Sequence, residues 1–293
     1  MITITNGILT AEISETGAQL SRLATASNEY LWDGNPDIWP KHAPVLFPFV
    51  GRLPNQEYQF KGKTYGPMPI HGFVPTSRFI LESQEDGACT MLLVVTDDIR
   101  SLYPFDFEFR VRYELEGTTL KVRYLVTNKG EEAMYYGMGS HPGFNVPMKD
   151  GLRFEDYYVE FPDAGDVVRR TFTDDCHDSG VDIPFPLDGK RLHLRHDLFD
   201  KDAICLGNTG NTVTIKTDKD SRSVTVCYPD TPWCAIWHKV KMEVPFLCIE
   251  PWFSLPGHPG MNDIEKRDDF FRLESGKSNC HGLYITINGD TSL

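Results

Sequence analysis

Between residues 105 and 126 the chain alternates with a period of two. Phe105, Phe107, Phe109, Val111, Tyr113 and Leu115 are apolar, and polar or charged residues stand between them. Glu116-Gly117-Thr118-Thr119 interrupts the pattern, and Leu120, Val122, Tyr124 and Val126 resume it. Successive side chains of a strand point to opposite faces, so this run specifies two strands that each bury one face. The short Gly-containing break makes them an antiparallel hairpin. Shorter units of the same kind recur. Tyr58-Gln59-Phe60 and Lys63-Thr64-Tyr65 flank Gly62, Val213–Lys216 and Val224–Tyr228 flank Asp218-Lys219-Asp220, and Gly282–Ile287 reads as a further strand. Helices are few and short, with single turns expected near Pro36–Trp39 and Asn262–Lys266. So many alternating strands bury their apolar faces most economically as stacked antiparallel sheets. We therefore expect an all-β chain, a large antiparallel β-sandwich forming one domain over residues 1–293.

Charge and cysteine usage narrow the function classes. With 42 acidic against 29 basic residues, the net charge is -13. An acidic chain without a basic stripe repels phosphate backbones, so nucleic acid is excluded as a partner, and an anionic membrane is disfavoured. No apolar run is long enough to span a bilayer. The number of cysteines is odd, at 7, with no C-x-x-C pair. Several lie in apolar runs, where a thiol acts as a small hydrophobe. This usage fits a reducing, cytoplasmic setting, and the N-terminus shows no signal peptide.

Three segments break the alternation, each dense in Gly, Pro and aromatic residues. The first runs from Pro44 to Asn55 and on to Pro69-Ile70-His71-Gly72-Phe73, and carries Arg52 and His71. Taken singly, these two also read as a surface arginine and a core histidine. The second, Tyr135–Pro147, runs into a glycine-flanked turn that presents His141. Gly and Pro there let backbone approach a ligand closely, or let the turn use the imidazole for its own hydrogen bonds. The third is Pro245-Phe246-Leu247-Cys248-Ile249-Glu250-Pro251-Trp252-Phe253. A carboxylate in so apolar a run needs either a basic partner or a chemical role. His193 and His196 are three apart, but no third ligand stands at a convincing spacing, so no metal is expected.

The order of these parts resembles the galactose mutarotase-like (aldose 1-epimerase) family, in its LacX-like branch: Gly51-Arg52, Pro69-Ile70-His71-Gly72-Phe73, His141-Pro142-Gly143-Phe144-Asn145 and Ile249-Glu250-Pro251-Trp252. The resemblance implies the family's large β-sandwich and a cofactor-free isomerase acting on a small sugar, as a monomer or homodimer. It makes His141 the general acid beside the ring oxygen and Glu250 the general base on the anomeric hydroxyl. It makes His71 and Arg52 a substrate-orienting pair. The family's sugar-binding aspartate matches Asp202, with Asp200 its rival. Better-known mutarotases have Asn-Arg where this chain has Gly51-Arg52 and differ around His141, which leaves the acid and base in place.

Anomer exchange needs one group to take the C1 hydroxyl proton and another to protonate the ring oxygen, so the ring opens, rotates and closes. A carboxylate and an imidazole suit this near neutral pH. On that scheme Glu250 starts ionised and His141 protonated. A sugar also needs a flat apolar face, for which Trp237, Phe73, Trp252 and Phe253 are candidates. Three other functions share this reading. A hexose-6-phosphate 1-epimerase would need a basic cluster, for which Arg52, Arg78 and Lys63 are near in sequence. A non-catalytic sugar-binding protein would keep the fold alone. A polysaccharide-active enzyme would need two facing carboxylates, and only Glu250 has such a setting.

Overall fold

The computed structural model describes residues 1–290, so the last three of the expected 1–293 span lie outside the described residues. Two large antiparallel sheets dominate. The first has nine strands, in the order Arg191–His193, Tyr158–Glu160, Thr212–Thr217, Asp220–Cys227, Ser278–Asn288, Thr119–Asn128, Phe107–Glu116, Ala88–Leu93 and Phe79–Glu85. The second runs Asp178–Pro184, Val168–Phe172, Ile204–Gly207, Trp233–Trp237, Phe246–Trp252, Gly139–Ser140 and Val45–Leu46. Gly143–Asn145 is its eighth strand and pairs with Phe246–Trp252 beside that path.

The expected hairpin is present, as Phe107–Glu116 against Thr119–Asn128 with Tyr113 opposite Val122. Its alternation is kept in three dimensions. Phe107, Phe109, Val111, Tyr113 and Leu115 are buried, while Arg110 and Arg112 face outward and pair with Glu82 and Glu85. The two sheets meet through that buried face. The Phe47 ring, just past Val45–Leu46, stacks on Phe109 at 4.6 Å between centroids. Tyr124 Oη bonds Ser140 Oγ at 2.7 Å across the same layer. Burying one such aromatic contributes roughly 1.5–3 kcal/mol, so this layer dominates stability.

Helices are as scarce as expected, but their places differ. One short turn forms at Ile264–Lys266, inside the expected stretch. Near Pro36–Trp39 the chain only turns, Ile38 and Trp39 both donating to the Asn35 carbonyl. The one α-helix among the described residues, Asp97–Leu102, was not expected; Thr96 caps it by accepting from Ile99 N. The small sheet of Ile2–Thr5, Thr10–Ile13 and Leu20–Ala24 was also not foreseen. Its strands are too short for alternation to stand out.

The second sheet is covered on both faces, and this places the candidate site. All seven residues of Phe246–Trp252 are buried. Leu247 and Ile249 point into the layer between the sheets. Phe246, Cys248 and Trp252 belong to smaller apolar clusters on the opposite face, and the period of two puts Glu250 there with them. Ala235 and Ile236 split in the same way, with Ala235 directly opposite Glu250.

Gly72 anchors the loop that carries His71. It has φ +75°, and a Cβ there would stand 2.1 Å from the Phe47 carbonyl oxygen. A left-handed φ and a backbone clash together predict that Gly72→Ala costs about 2–4 kcal/mol. A fall in the urea midpoint at unchanged slope checks it; an unchanged midpoint would show that the loop relaxes freely.

Candidate active site

Glu250 and His141 meet although far apart in the chain. His141 Nε2 lies 3.3 Å from Glu250 Oε1, with His141 7% and Glu250 1% exposed. His141 sits in the break between Gly139–Ser140 and Gly143–Asn145. Its N–H donates to the Pro44 carbonyl, and the next residue's carbonyl accepts from Ile249 N–H. Those two bonds pin the His-Pro turn beside the strand that carries Glu250.

Burial dominates the electrostatics of the pair. It raises the Glu250 carboxyl well above its usual range; the Trp252 Nε1–H, 3.2 Å from Oε2, opposes this, and nearby Asp202 adds to it. It lowers the His141 imidazole, and the neighbouring His71 and Lys41 lower it further. Burial thus favours a neutral carboxylic acid facing a neutral imidazole, where sequence reasoning expected an ionised Glu250 and a protonated His141. The two forms hold the same number of protons and differ by one transfer across the 3.3 Å contact. The proton inventory for acid–base work is therefore intact.

The His71 ring stands edge-on to His141, 5.6 Å between centroids. His71 has φ +66°, an uncommon value for a non-glycine residue, and three bonds hold it there. Its N–H donates to Gly51 O, its carbonyl accepts from Phe47 N–H, and its Nδ1 accepts from Gly51 N–H at 3.1 Å. Since Nδ1 is an acceptor, the ring proton is on Nε2, which makes His71 a hydrogen-bond donor. Burial, then Lys41 and Arg52, push its pKa down to about 3, so the ring is neutral.

Asp202 is half-buried, with φ +79°. Its Oδ1 accepts from Ala203 N–H and its Oδ2 from the Cys176 thiol at 3.4 Å. It acts on Glu250, whereas Asp200 is exposed and acts on His238. Of the two aspartates, it is the charge of Asp202 that bears on Glu250. Trp237 is half-buried and meets the His141 ring edge-on at 5.5 Å.

One expected site residue is corrected. Phe73 is 4% exposed, and its ring packs on Phe47, Tyr103 and Phe107 in the main core. The left-handed turn at Gly72 sends it inward, so it offers no face to a ligand. Trp252 and Phe253 are buried as well; Trp252 instead donates to Glu250.

Trp39, Lys41, Cys176 and Cys248 were missed as site neighbours. Trp39 stacks on His141 with centroids 4.9 Å apart and planes 27° from parallel. Lys41, two residues on, is half-buried, and burial holds its ammonium below the usual lysine range. They reach the site on a segment with no periodic pattern. His193 and His196 do not converge: His193 contacts Asp188, and His196 contacts His238.

The family model for aldose 1-epimerase matches residues 1–262. The chain belongs to the aldose 1-epimerase family. It is 32% identical over 266 residues to the chromosomal LacX protein of Lactococcus lactis, covering 87% of this chain and 88% of that one. It is also similar to a solved galactose mutarotase related enzyme from Lactobacillus acidophilus, with TM-score 0.92, 35% identity, and 98% and 96% of the two chains covered. A galactose mutarotase-like protein from Lactobacillus casei matches with TM-score 0.92 and 31% identity over 98% of this chain and 99% of that one. The expected galactose mutarotase-like sandwich is thereby shown, and the family makes this an enzyme type that acts on carbohydrates. Among the described residues, no helix is long and apolar enough to cross a membrane.

Proposed function

We propose that this aldose 1-epimerase family member exchanges the anomers of a free hexose by general acid–base ring opening and closure. The observation that carries the reading is the buried contact of His141 with Glu250. Ring opening transfers protons at two oxygens that share one carbon, so its acid and base must converge on one point. A glycosidase instead sets two carboxyls about 5–9.5 Å apart, and the partner of Glu250 here is an imidazole. The Glu250 carboxyl proton first passes to His141 across their 3.3 Å contact; Glu250 then takes the proton of the C1 hydroxyl while His141 delivers one to the ring oxygen. Rotation about C1–C2 presents the other carbonyl face, and the reverse transfers close the ring. Both groups end with the protons they began with.

The remaining residues bind. His71 donates from Nε2, Arg52 supplies a flexible cation, Asp202 accepts from sugar hydroxyls, and Trp39 and Trp237 offer flat apolar surface. No redox or metal cofactor is required by this chemistry. Seven free thiols support a reducing, cytoplasmic setting.

A hexose 6-phosphate is the second reading, and one observation favours it. Lys41 and Arg52 both act on His71, and neither side chain has an ion pair among the described residues. Two cations without an ion pair beside one imidazole suit an anionic substituent. The other basic residues considered lie elsewhere: Lys63 over the Tyr65 ring, and Arg78 in a backbone bridge with Thr16.

Freshly dissolved hexoses and their 6-phosphates, followed by polarimetry or exchange NMR, test both readings. At least one free hexose should equilibrate faster with protein than without. Acceleration of 6-phosphates alone would select the second reading. Calorimetric binding of a sugar without any acceleration would replace both with a non-catalytic binding protein.

A further inference from the structure

Cys248 stands two residues before Glu250 on one strand, and the period of two puts both on the same face. His141 completes a set of three. One ring nitrogen, the Cys248 Sγ and a Glu250 carboxylate oxygen all lie within 4.8 Å of one another, and all three residues are buried. The acid–base proposal gives Cys248 no task.

The spacing is that of a metal site before closure. Two nitrogen or oxygen ligands about 2.0 Å from a tetrahedral ion stand about 3.3 Å apart. His141 Nε2 and Glu250 Oε1 already stand 3.3 Å apart. The metal–sulfur bond is longer, about 2.3 Å, which sets sulfur about 3.5 Å from the other ligands, so from within 4.8 Å the thiol closes by about 1.3 Å or less. One imidazole, one thiolate and one carboxylate are donors that zinc and its borderline-soft neighbours accept, and that magnesium and calcium do not favour. Of the two His141 ring nitrogens, Nε2 faces Glu250 and is the ligand of this set; Nδ1, buried and without a hydrogen-bond partner among the described residues, takes no part in it.

We propose that His141, Cys248 and Glu250 form a three-ligand site for a zinc-class divalent cation, which leaves one coordination position for water. Binding forms a metal–sulfur bond as the Cys248 S–H bond breaks, and the proton leaves to the buffer. A carboxyl proton on Glu250 leaves the same way. No electron is transferred. Its consequence rests on the acid–base reading above: the cation occupies both the acid and the base, so it inhibits anomer exchange in competition with the sugar.

Cobalt(II) is the probe for the site, and zinc the probe for inhibition. The intact protein should bind one cobalt ion with a near-ultraviolet thiolate-to-cobalt charge-transfer band and the strong visible bands of a four-coordinate ion. Zinc should slow anomer exchange competitively with sugar, and a chelator should restore the rate. Cys248→Ser should retain anomer exchange, lose the charge-transfer band, and need at least about tenfold more zinc for half inhibition. A band that persists in Cys248→Ser would place the metal on another thiol, such as Cys176 beside Asp202, and overturn the proposal. Equal zinc inhibition of the two proteins would also overturn it. If the variant does not fold, anomalous scattering from a cobalt-soaked crystal of the unaltered protein decides the matter by the ion's position. A cobalt band in a protein that exchanges no anomers would keep the metal site and remove the acid–base reading. Exchange that zinc leaves untouched, with no cobalt band, does the reverse.

Discussion

Glu250→Gln lowers the rate of anomer exchange by about 10²–10⁴-fold, the usual worth of a positioned proton-transfer group. Glutamine keeps the shape of the side chain, and its amide oxygen can still accept from the Trp252 Nε1–H that now bonds Oε2. It cannot take a proton from a hydroxyl. The loss should fall on kcat more than on KM, because Arg52, His71 and Asp202 remain. The variant should also be no less stable. Glu250 is buried and its carboxyl is raised well above its usual range. A group raised in the folded state contributes its full stability below its unfolded pKa of roughly 4.3 and loses it as pH rises through the folded value. Near neutral pH this carboxyl is therefore a burden that the neutral amide removes. Thermal unfolding at pH 7 should come at an equal or higher temperature. Polarimetry showing near-normal rates in a folded Glu250→Gln protein would remove Glu250 as the base.

The parts of this protein that could be read from its sequence are those where one periodic rule governs many residues. The Phe107–Asn128 hairpin is legible because ten-residue strands with one wet face alternate visibly. The strand of Glu250 is legible for the opposite reason: both faces are covered, so the alternation disappears and a carboxylate stands out in an apolar run. What that run could not reveal is which face each residue takes. Cys248 was therefore read as filler, although it shares the face of Glu250. The failure at Phe73 has a local cause. His71 and Gly72 both have left-handed φ, so the chain reverses between a ring at the site and a ring in the core. Adjacency to a site residue was a poor guide there. Trp39 and Lys41 reach His141 from a stretch with no motif, and only the fold could bring them in.

His141→Asn should reduce anomer exchange by a similar factor, about 10²–10⁴-fold. The asparagine amide can hydrogen-bond, but it neither stores nor releases a proton near neutral pH. The substitution also removes the stacking of Trp39 on the imidazole, at 4.9 Å, and the edge contact with Trp237. Such contacts contribute about 0.5–1.5 kcal/mol each, so a modest fall in unfolding temperature is expected alongside the rate loss. The two effects separate because a folded variant at low temperature still shows the rate deficit. His71 does not substitute as acid. Its Nδ1 is engaged by the Gly51 N–H, and its pKa is pushed down to about 3, so near pH 7 it carries no proton that it can deliver and recover. His71 instead fixes the sugar with its Nε2–H. An unchanged rate in His141→Asn would mean that the ring oxygen receives its proton from another group, and the 3.3 Å contact with Glu250 would then be a packing arrangement without a chemical role.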